Sequence, residues 1–107
     1  MATFAEDMQT IVNNTTLLSF PFLAGEKRKQ ELIDITRQDL DTEILALIGD
    51  NNELKDKFLG IKDNIWKKAD AEAKKQFTTL PKKLKINSFY LQELAHNYTQ
   101  MIMETLS

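Results

Sequence analysis

The sequence predicts an all-α protein that folds as a four-helix, mostly antiparallel bundle. Apolar side chains recur every three or four residues through most of the 107-residue chain, which is the spacing of one face of a helix. No segment alternates polar and apolar residues for long enough to predict a strand. The connections between the helical segments are short, and short connections join antiparallel neighbours in bundles.

The composition predicts a single helical domain, residues 1–107. The chain is 42% hydrophobic and has only three Gly and two Pro, so it holds enough apolar surface to form one core. It has no Cys and one His, which excludes disulfides and the usual zinc sites, and we expect no metal and no cofactor. Its first residues lack a secretion signal, and no apolar stretch approaches ~20 residues, so we expect a cytoplasmic protein without membrane contact.

The first helix is predicted over residues 4–18. Thr3 and Glu6 have the spacing of a capping box, which satisfies the free backbone N–H groups at a helix start. The side chains at helical spacing that follow are Phe4, Met8, Ile11, Val12 and Thr15. Pro21 and Gly25 then indicate a connection.

The second and third helices are predicted over residues 26–48 and 52–79. Gly49 falls where a left-handed residue caps a helix, and residues 50–52 supply turn chemistry and a new N-cap. The second helix has its apolar stripe at Leu32, Ile33, Thr36, Leu40, Ile44, Leu47 and Ile48. The stripe of the third comprises Leu54, Phe58, Ile61, Ile65, Ala69, Ala73, Phe77 and Leu80. Because this second stripe rotates around the helix, a break near Gly60 is the alternative to one long helix.

The last helix can be capped by Asn87 or Ser88 and has the clearest amphipathic face in the chain. That face consists of Leu91, Leu94, Ala95, Tyr98, Met101, Ile102 and Thr105. His96 lies off it, with Glu93 one turn before, and is expected to be solvated without a positioned partner.

No residue pattern in the chain predicts catalysis. The carboxylates of the second helix lack calcium-loop spacing, and no Glu-x-x-His pair is present. The chain also has no Gly-rich phosphate loop, no Gly-x-Ser-x-Gly and no His-Glu-x-x-His. We therefore predict that the protein is not an enzyme and has no catalytic residues.

A basic segment precedes the last helix. Pro81 and Lys85 stand within it, among apolar positions at Leu80, Leu84, Ile86, Leu91 and Leu94. Residues 80–94 in this arrangement resemble a helix-turn-helix pattern, with Pro81 in place of a small residue and Lys85 in place of the turn glycine. The resemblance implies an alternative function, a DNA-binding transcriptional regulator using residues 80–96. Its candidate nucleic-acid-binding residues are Lys82, Lys83, Lys85, Ser88 and Gln92. The competing interpretation is a basic loop that joins two bundle helices.

Apolar side chains outside the stripes predict a surface for a partner protein. The candidate partner-binding residues are Leu17, Phe20, Phe22, Leu23, Ile35, Leu45 and Trp66. Exposed together, they would form a larger apolar patch than a small monomer normally has, which marks binding or dimerisation. The alternatives are that they close one end of the bundle and that Trp66 anchors the core.

The sequence as a whole predicts a small regulatory, inhibitory or adaptor protein that docks onto a partner protein. Residues 1–53 carry a net charge of −6 and residues 54–107 a net charge of +4, so the acidic half would complement a basic partner surface. Antitoxins, bacteriocin-immunity proteins and phage-encoded inhibitors share this size and helical character, which is an analogy of class. A homodimer remains an alternative partner.

Overall fold

The computed structural model describes residues 3–15, 26–76 and 87–106, apart from the side chains at 26–29, 76 and 87–89. These residues form four helices and no strand: α1 (Phe4–Asn14), α2 (Glu26–Ile48), α3 (Asn52–Gln76) and α4 (Asn87–Leu106). The predicted fold class, an all-α four-helix bundle, is therefore confirmed. No described helix has a stretch long and apolar enough to cross a membrane.

At both ends of α1, a threonine hydroxyl forms a hydrogen bond with a backbone group of the helix. The side chain of Thr3 accepts a hydrogen bond of 3.1 Å from the backbone N–H of Glu6, as the capping pattern predicts. The described helix ends at Asn14 with Thr15 as its C-cap, and residues 16–18 of the predicted range lie outside the described residues. The hydroxyl of Thr15 donates to the carbonyl of Val12 at 2.6 Å, a local bond that competes with helical pairing.

A tight turn connects α2 to α3. Gly49 has a φ of +60°, and its N–H donates to the carbonyl of Leu45 at 3.0 Å, so the predicted left-handed cap is confirmed. The side chain of Asn51 accepts from the N–H of Leu54 at 3.1 Å and caps α3. The new helix passes through Gly60 without interruption, so the broken alternative is excluded.

The two glycines are expected to respond to alanine with opposite signs. Gly49→Ala should lower the free energy of unfolding by about 1 kcal/mol, because a Cβ is strained at positive φ even though no atom lies within 4 Å of it. Gly60→Ala should raise it by about 0.5–1 kcal/mol, because a Cβ there meets open space in a helix interior. Urea denaturation measures both values, and two changes of the same sign would contradict this account of the turn.

The C-terminal helix α4 lies at the centre of the bundle. It contacts each of the other three helices, most extensively α3, whereas α1 and α3 have no direct contact among the described residues. Because it is surrounded, α4 supplies more of the core than any other described helix. Its buried apolar residues are Leu91, Leu94, Ala95, Tyr98, Ile102 and Leu106. Of its predicted amphipathic face, Thr105 alone is exposed.

Candidate functional site

Only some of the predicted partner-binding residues lie in the described part of the chain. Leu17, Phe20, Phe22 and Leu23 lie outside it. Ile35 is on α2 and is 48% exposed, which makes it one of two large exposed hydrophobic residues among those described. The other is Leu59 on α3, at 44%.

Leu45 and Trp66 pack against the core instead of joining Ile35 on the surface. At about 100° per residue, Leu45 is rotated roughly 80° from Ile35 around α2. The indole of Trp66 meets the ring of Tyr98 edge to face, with centroids 4.9 Å apart and planes at 81°. The guanidinium of Arg37 lies 5.1 Å from the centroid of the indole. Among the described candidates, Ile35 alone is therefore exposed, and Trp66 has the core position that was its alternative.

The candidate nucleic-acid-binding residues are mostly beyond the described residues. Lys82, Lys83 and Lys85 lie outside them, as does the side chain of Ser88. Gln92 is described, and it is partly buried on α4.

A groove of about 190 Å³ runs between α1 and α2. Its walls from α1 are Ile11, Asn14 and Thr15, and its walls from α2 are Thr36, Asp39, Leu40 and Glu43. Asp39 and Glu43 are exposed, and within the described residues neither carboxylate has a hydrogen bond or an ion pair. They are four positions apart on one helix, where like charges destabilise by ~0.2–0.5 kcal/mol. The groove therefore combines apolar walls with an unneutralised acidic rim.

Beneath this groove, α1 is joined to α4 by a histidine. The hydroxyl of Thr15 lies 3.1 Å from Nδ1 of His96, and it is itself buried. His96 is partly buried, so the expectation of a solvated histidine without a partner is wrong. The partner is a threonine hydroxyl, which orients the ring but supplies no charge for acid–base chemistry.

A second polar cluster, which we call the clamp, joins α2, α3 and α4. It consists of Arg37, Asp41, Asp63, Trp66 and Tyr98. The guanidinium of Arg37 donates to the carboxylate of Asp63 and lies 3.7 Å from that of Asp41. The hydroxyl of Tyr98 donates to Asp41 at 2.5 Å. Sequence reasoning missed this cluster, because its members lie far apart in the chain.

Burial and charge shift the pKa values of the clamp in different directions. Burial raises the pKa of Asp41 above its usual 3.8, and outweighs the Tyr98 hydroxyl and the Arg37 guanidinium, which lower it. Burial and the hydrogen bond to Asp41 raise the pKa of Tyr98. For Asp63, the hydrogen bond from Arg37 lowers the pKa, and nearby Lys62 lowers it further. The pKa of Arg37 is lowered by burial but raised overall by its two carboxylates.

The clamp is expected to make the free energy of unfolding depend on pH through Asp41, and Asp41→Asn should reveal this dependence. The pKa of Asp41 is raised on folding, so just above pH 3.8 the folded protein binds more protons than the unfolded chain does. The free energy of unfolding therefore falls as pH rises from 3.8 through the pKa of the folded state. The free energy of unfolding of Asp41→Asn, minus that of the wild type, should therefore increase from about pH 4 towards neutral. Denaturant titrations at each pH measure this difference.

Asp63→Asn is the control for that experiment. Since the pKa of Asp63 is lowered on folding, its contribution to stability is present above pH 3.8 and is lost as pH falls further. The free energy of unfolding of Asp63→Asn, minus that of the wild type, should therefore become more negative as pH rises to 3.8. A flat or falling difference for Asp41→Asn would show that burial does not control its ionisation.

The clamp holds helices together, and its chemistry is that of a structural contact. Its two carboxylates face a guanidinium and a phenol, neither of which is a nucleophile in this setting. Among the described residues, no three His, Cys, Asp or Glu side chains are grouped to hold a metal ion. None of the family models, curated proteins and solved structures compared with this chain matches it. The exposed side of α2, with its groove, is consequently the best candidate for a binding site.

Proposed function

We propose that this protein is a non-enzymatic regulatory, inhibitory or adaptor protein that docks onto a basic surface of a partner protein through the exposed side of α2. The supporting observation is the continuity of an exposed aliphatic side chain with an unneutralised acidic groove. Ile35 and Asp39 are four residues apart and therefore adjacent on α2, and Asp39 is at the groove rim. An antitoxin, an immunity protein or a phage inhibitor would use such a surface to block its target.

Charge supports a basic partner. Residues 30–50 contain six acidic residues and one basic residue, a net charge of −5, whereas residues 26–29 at the start of α2 carry one acidic and three basic residues. The one basic residue of 30–50, Arg37, is held in the clamp by Asp41 and Asp63 and does not neutralise the outer side of the helix. A surface of one sign attracts a partner of the other and speeds their encounter, an effect that salt screens.

Ile35 supplies the apolar contact of this surface. Exposed aliphatic side chains become favourable when a partner removes them from water, at about 25 cal/mol per Å² of apolar area. If Ile35 lies near the centre of the interface, Ile35→Glu should weaken binding by about 30-fold or more. It should leave the fold intact, because the side chain is on the outside of the bundle.

A photo-crosslinking amino acid at position 35 tests this proposal in cells that carry the natural partner. We expect one discrete protein adduct from position 35 and none from position 59, which is the matched control because Leu59 is similarly exposed on another helix. The adduct partner is then purified, and its affinity is measured for the wild type, Ile35→Glu and Leu59→Glu. Loss of binding in Ile35→Glu alone supports the proposal.

Two results would overturn it. One is equal adducts at both positions, or equal affinities of the two variants, since the exposed side of α2 would then have no special part. The other is tight, salt-dependent binding of the purified protein to duplex DNA that survives Ile35→Glu, which is the behaviour of a DNA-binding regulator.

A further inference from the structure

The groove between α1 and α2 has two kinds of wall. Ile11 and Leu40 line it with aliphatic surface, and the carboxylates of Asp39 and Glu43 stand at its exposed side. Asn14 lines it from α1. A group that fills this groove must therefore be apolar along part of its length and positively charged at one end.

We infer that the groove binds the side chain of an arginine on the surface of the partner protein. This inference rests on the proposed function, because it names the partner group that the exposed side of α2 would recognise. The methylene stem of arginine can lie against Ile11 and Leu40, as long basic side chains commonly do on apolar surface. Its guanidinium can then meet the acidic rim.

Charge complementarity selects this occupant over the alternatives. Within the described residues, Asp39 and Glu43 have no cation of their own, and the nearest arginine on the same helix, Arg37, is held by Asp41 and Asp63. A cation from the partner relieves the repulsion between the two rim carboxylates. An acidic side chain would add to that repulsion, and a neutral one would leave it unchanged.

Arginine fits better than lysine because of the geometry of its donors. A guanidinium is planar and presents five N–H groups, so it can bridge two carboxylates and an amide oxygen at once. Asp39 and Glu43 project from successive turns of α2, and Asn14 faces them from α1. A compact ammonium group reaches fewer of these acceptors at the same time.

The groove is also placed where a partner side chain would enter during docking. Ile35 lies one turn before Asp39 on α2, so an apolar contact at Ile35 and a charged contact in the groove fit one continuous interface. The groove therefore fixes the register in which the partner lies along α2.

The test uses the purified protein and N-acetyl-arginine amide as the probe, so it requires no partner. In an NMR titration, we expect saturable shift changes at the amides of Ile11, Asn14 and Leu40. N-acetyl-lysine amide should bind more weakly, and N-acetyl-norleucine amide should produce no saturable change. The double variant Asp39→Asn/Glu43→Gln should lose at least about tenfold in affinity for the arginine probe.

Asp50→Asn/Asp56→Asn is the matched control, since it removes the same two negative charges from exposed positions away from the groove. It should keep the wild-type response. Equal losses in the two double variants, or shift changes spread over the acidic surface, would overturn the inference, as would no saturable response to the arginine probe. Because no partner is present, these results are independent of the crosslinking at position 35. The two proposals can also fail separately. If the wild type binds the arginine probe, Asp39→Asn/Glu43→Gln does not, and position 35 gives no adduct, then the arginine site is supported and the proposed function is contradicted.

Discussion

Tyr98→Ala is expected to lower the free energy of unfolding by about 3–5 kcal/mol, a large fraction of the stability of a small domain. Tyr98 is fully buried on the central helix, and its ring and that of Trp66 meet in an edge-to-face contact. Truncation removes that contact and leaves a cavity. It also removes the hydroxyl that donates to Asp41. Urea denaturation followed by far-UV circular dichroism measures the change.

Tyr98→Phe separates packing from hydrogen bonding at the same position. The phenyl ring keeps the contact with Trp66, but the partly buried carboxylate of Asp41 loses a donor, which should cost about 1–3 kcal/mol. Tyr90→Phe on the same helix is the control, because no hydrogen bond of its hydroxyl is found among the described residues, and its effect should stay within ~0.5 kcal/mol. Equal effects of the two variants would show that the hydrogen bond from Tyr98 to Asp41 adds nothing to stability.

Ala69→Leu is expected to lower the free energy of unfolding by about 1–3 kcal/mol. Ala69 and Ala73 on α3 and Ala95 on α4 are fully buried, in the pair of helices with the most extensive contact. Small side chains at such positions let two helices approach closely. A leucine has no room there, so it must push the helices apart or adopt an unfavourable rotamer.

Ala71→Leu provides the comparison for this overpacking. Ala71 is on the same helix but exposed, so the same substitution should change the free energy of unfolding by no more than ~0.5 kcal/mol. Leucine and alanine have similar helix propensities, and the difference between the two variants therefore reports packing alone. If Ala69→Leu were as mild as Ala71→Leu, the contact between α3 and α4 would be looser than the structure has it.

The fold could be predicted because helical periodicity specifies which side chains face the core. Leu40, Ile44 and Ile48 of the second helix are all buried, as their spacing indicates. Turn chemistry was equally informative, since Gly49 adopts the left-handed cap that its position suggests. These features depend on residues close together in the chain.

The clamp could not be predicted, because it depends on how the helices are rotated and aligned against one another. Arg37 and Asp63 are 26 positions apart, and Asp41 and Tyr98 are 57 apart. Each of these side chains also looks like an ordinary surface residue or an ordinary core residue when its own helix is considered alone. The contact between Thr15 and His96, across 81 positions, was missed for the same reason.

Of the three described residues of the candidate surface, one is exposed and two pack against the core. Ile35 is exposed, as expected for a residue on the side of α2 opposite the apolar stripe. Leu45 was assigned to the same side, but it packs against the core. Amphipathic analysis of one helix defines the centre of its buried face, whereas the width of that face depends on which neighbours flank it.

The central position of α4 also divides the molecule by local stability. Since α3 and α4 have the most extensive contact, amide hydrogen exchange should be slowest in this pair, and α1 and α2 should open in smaller, less costly fluctuations. A partner that binds only α1 and α2 would suppress local unfolding in the less stable half of the bundle. Its binding would then be visible as protection of those two helices, in a molecule whose shape hardly changes.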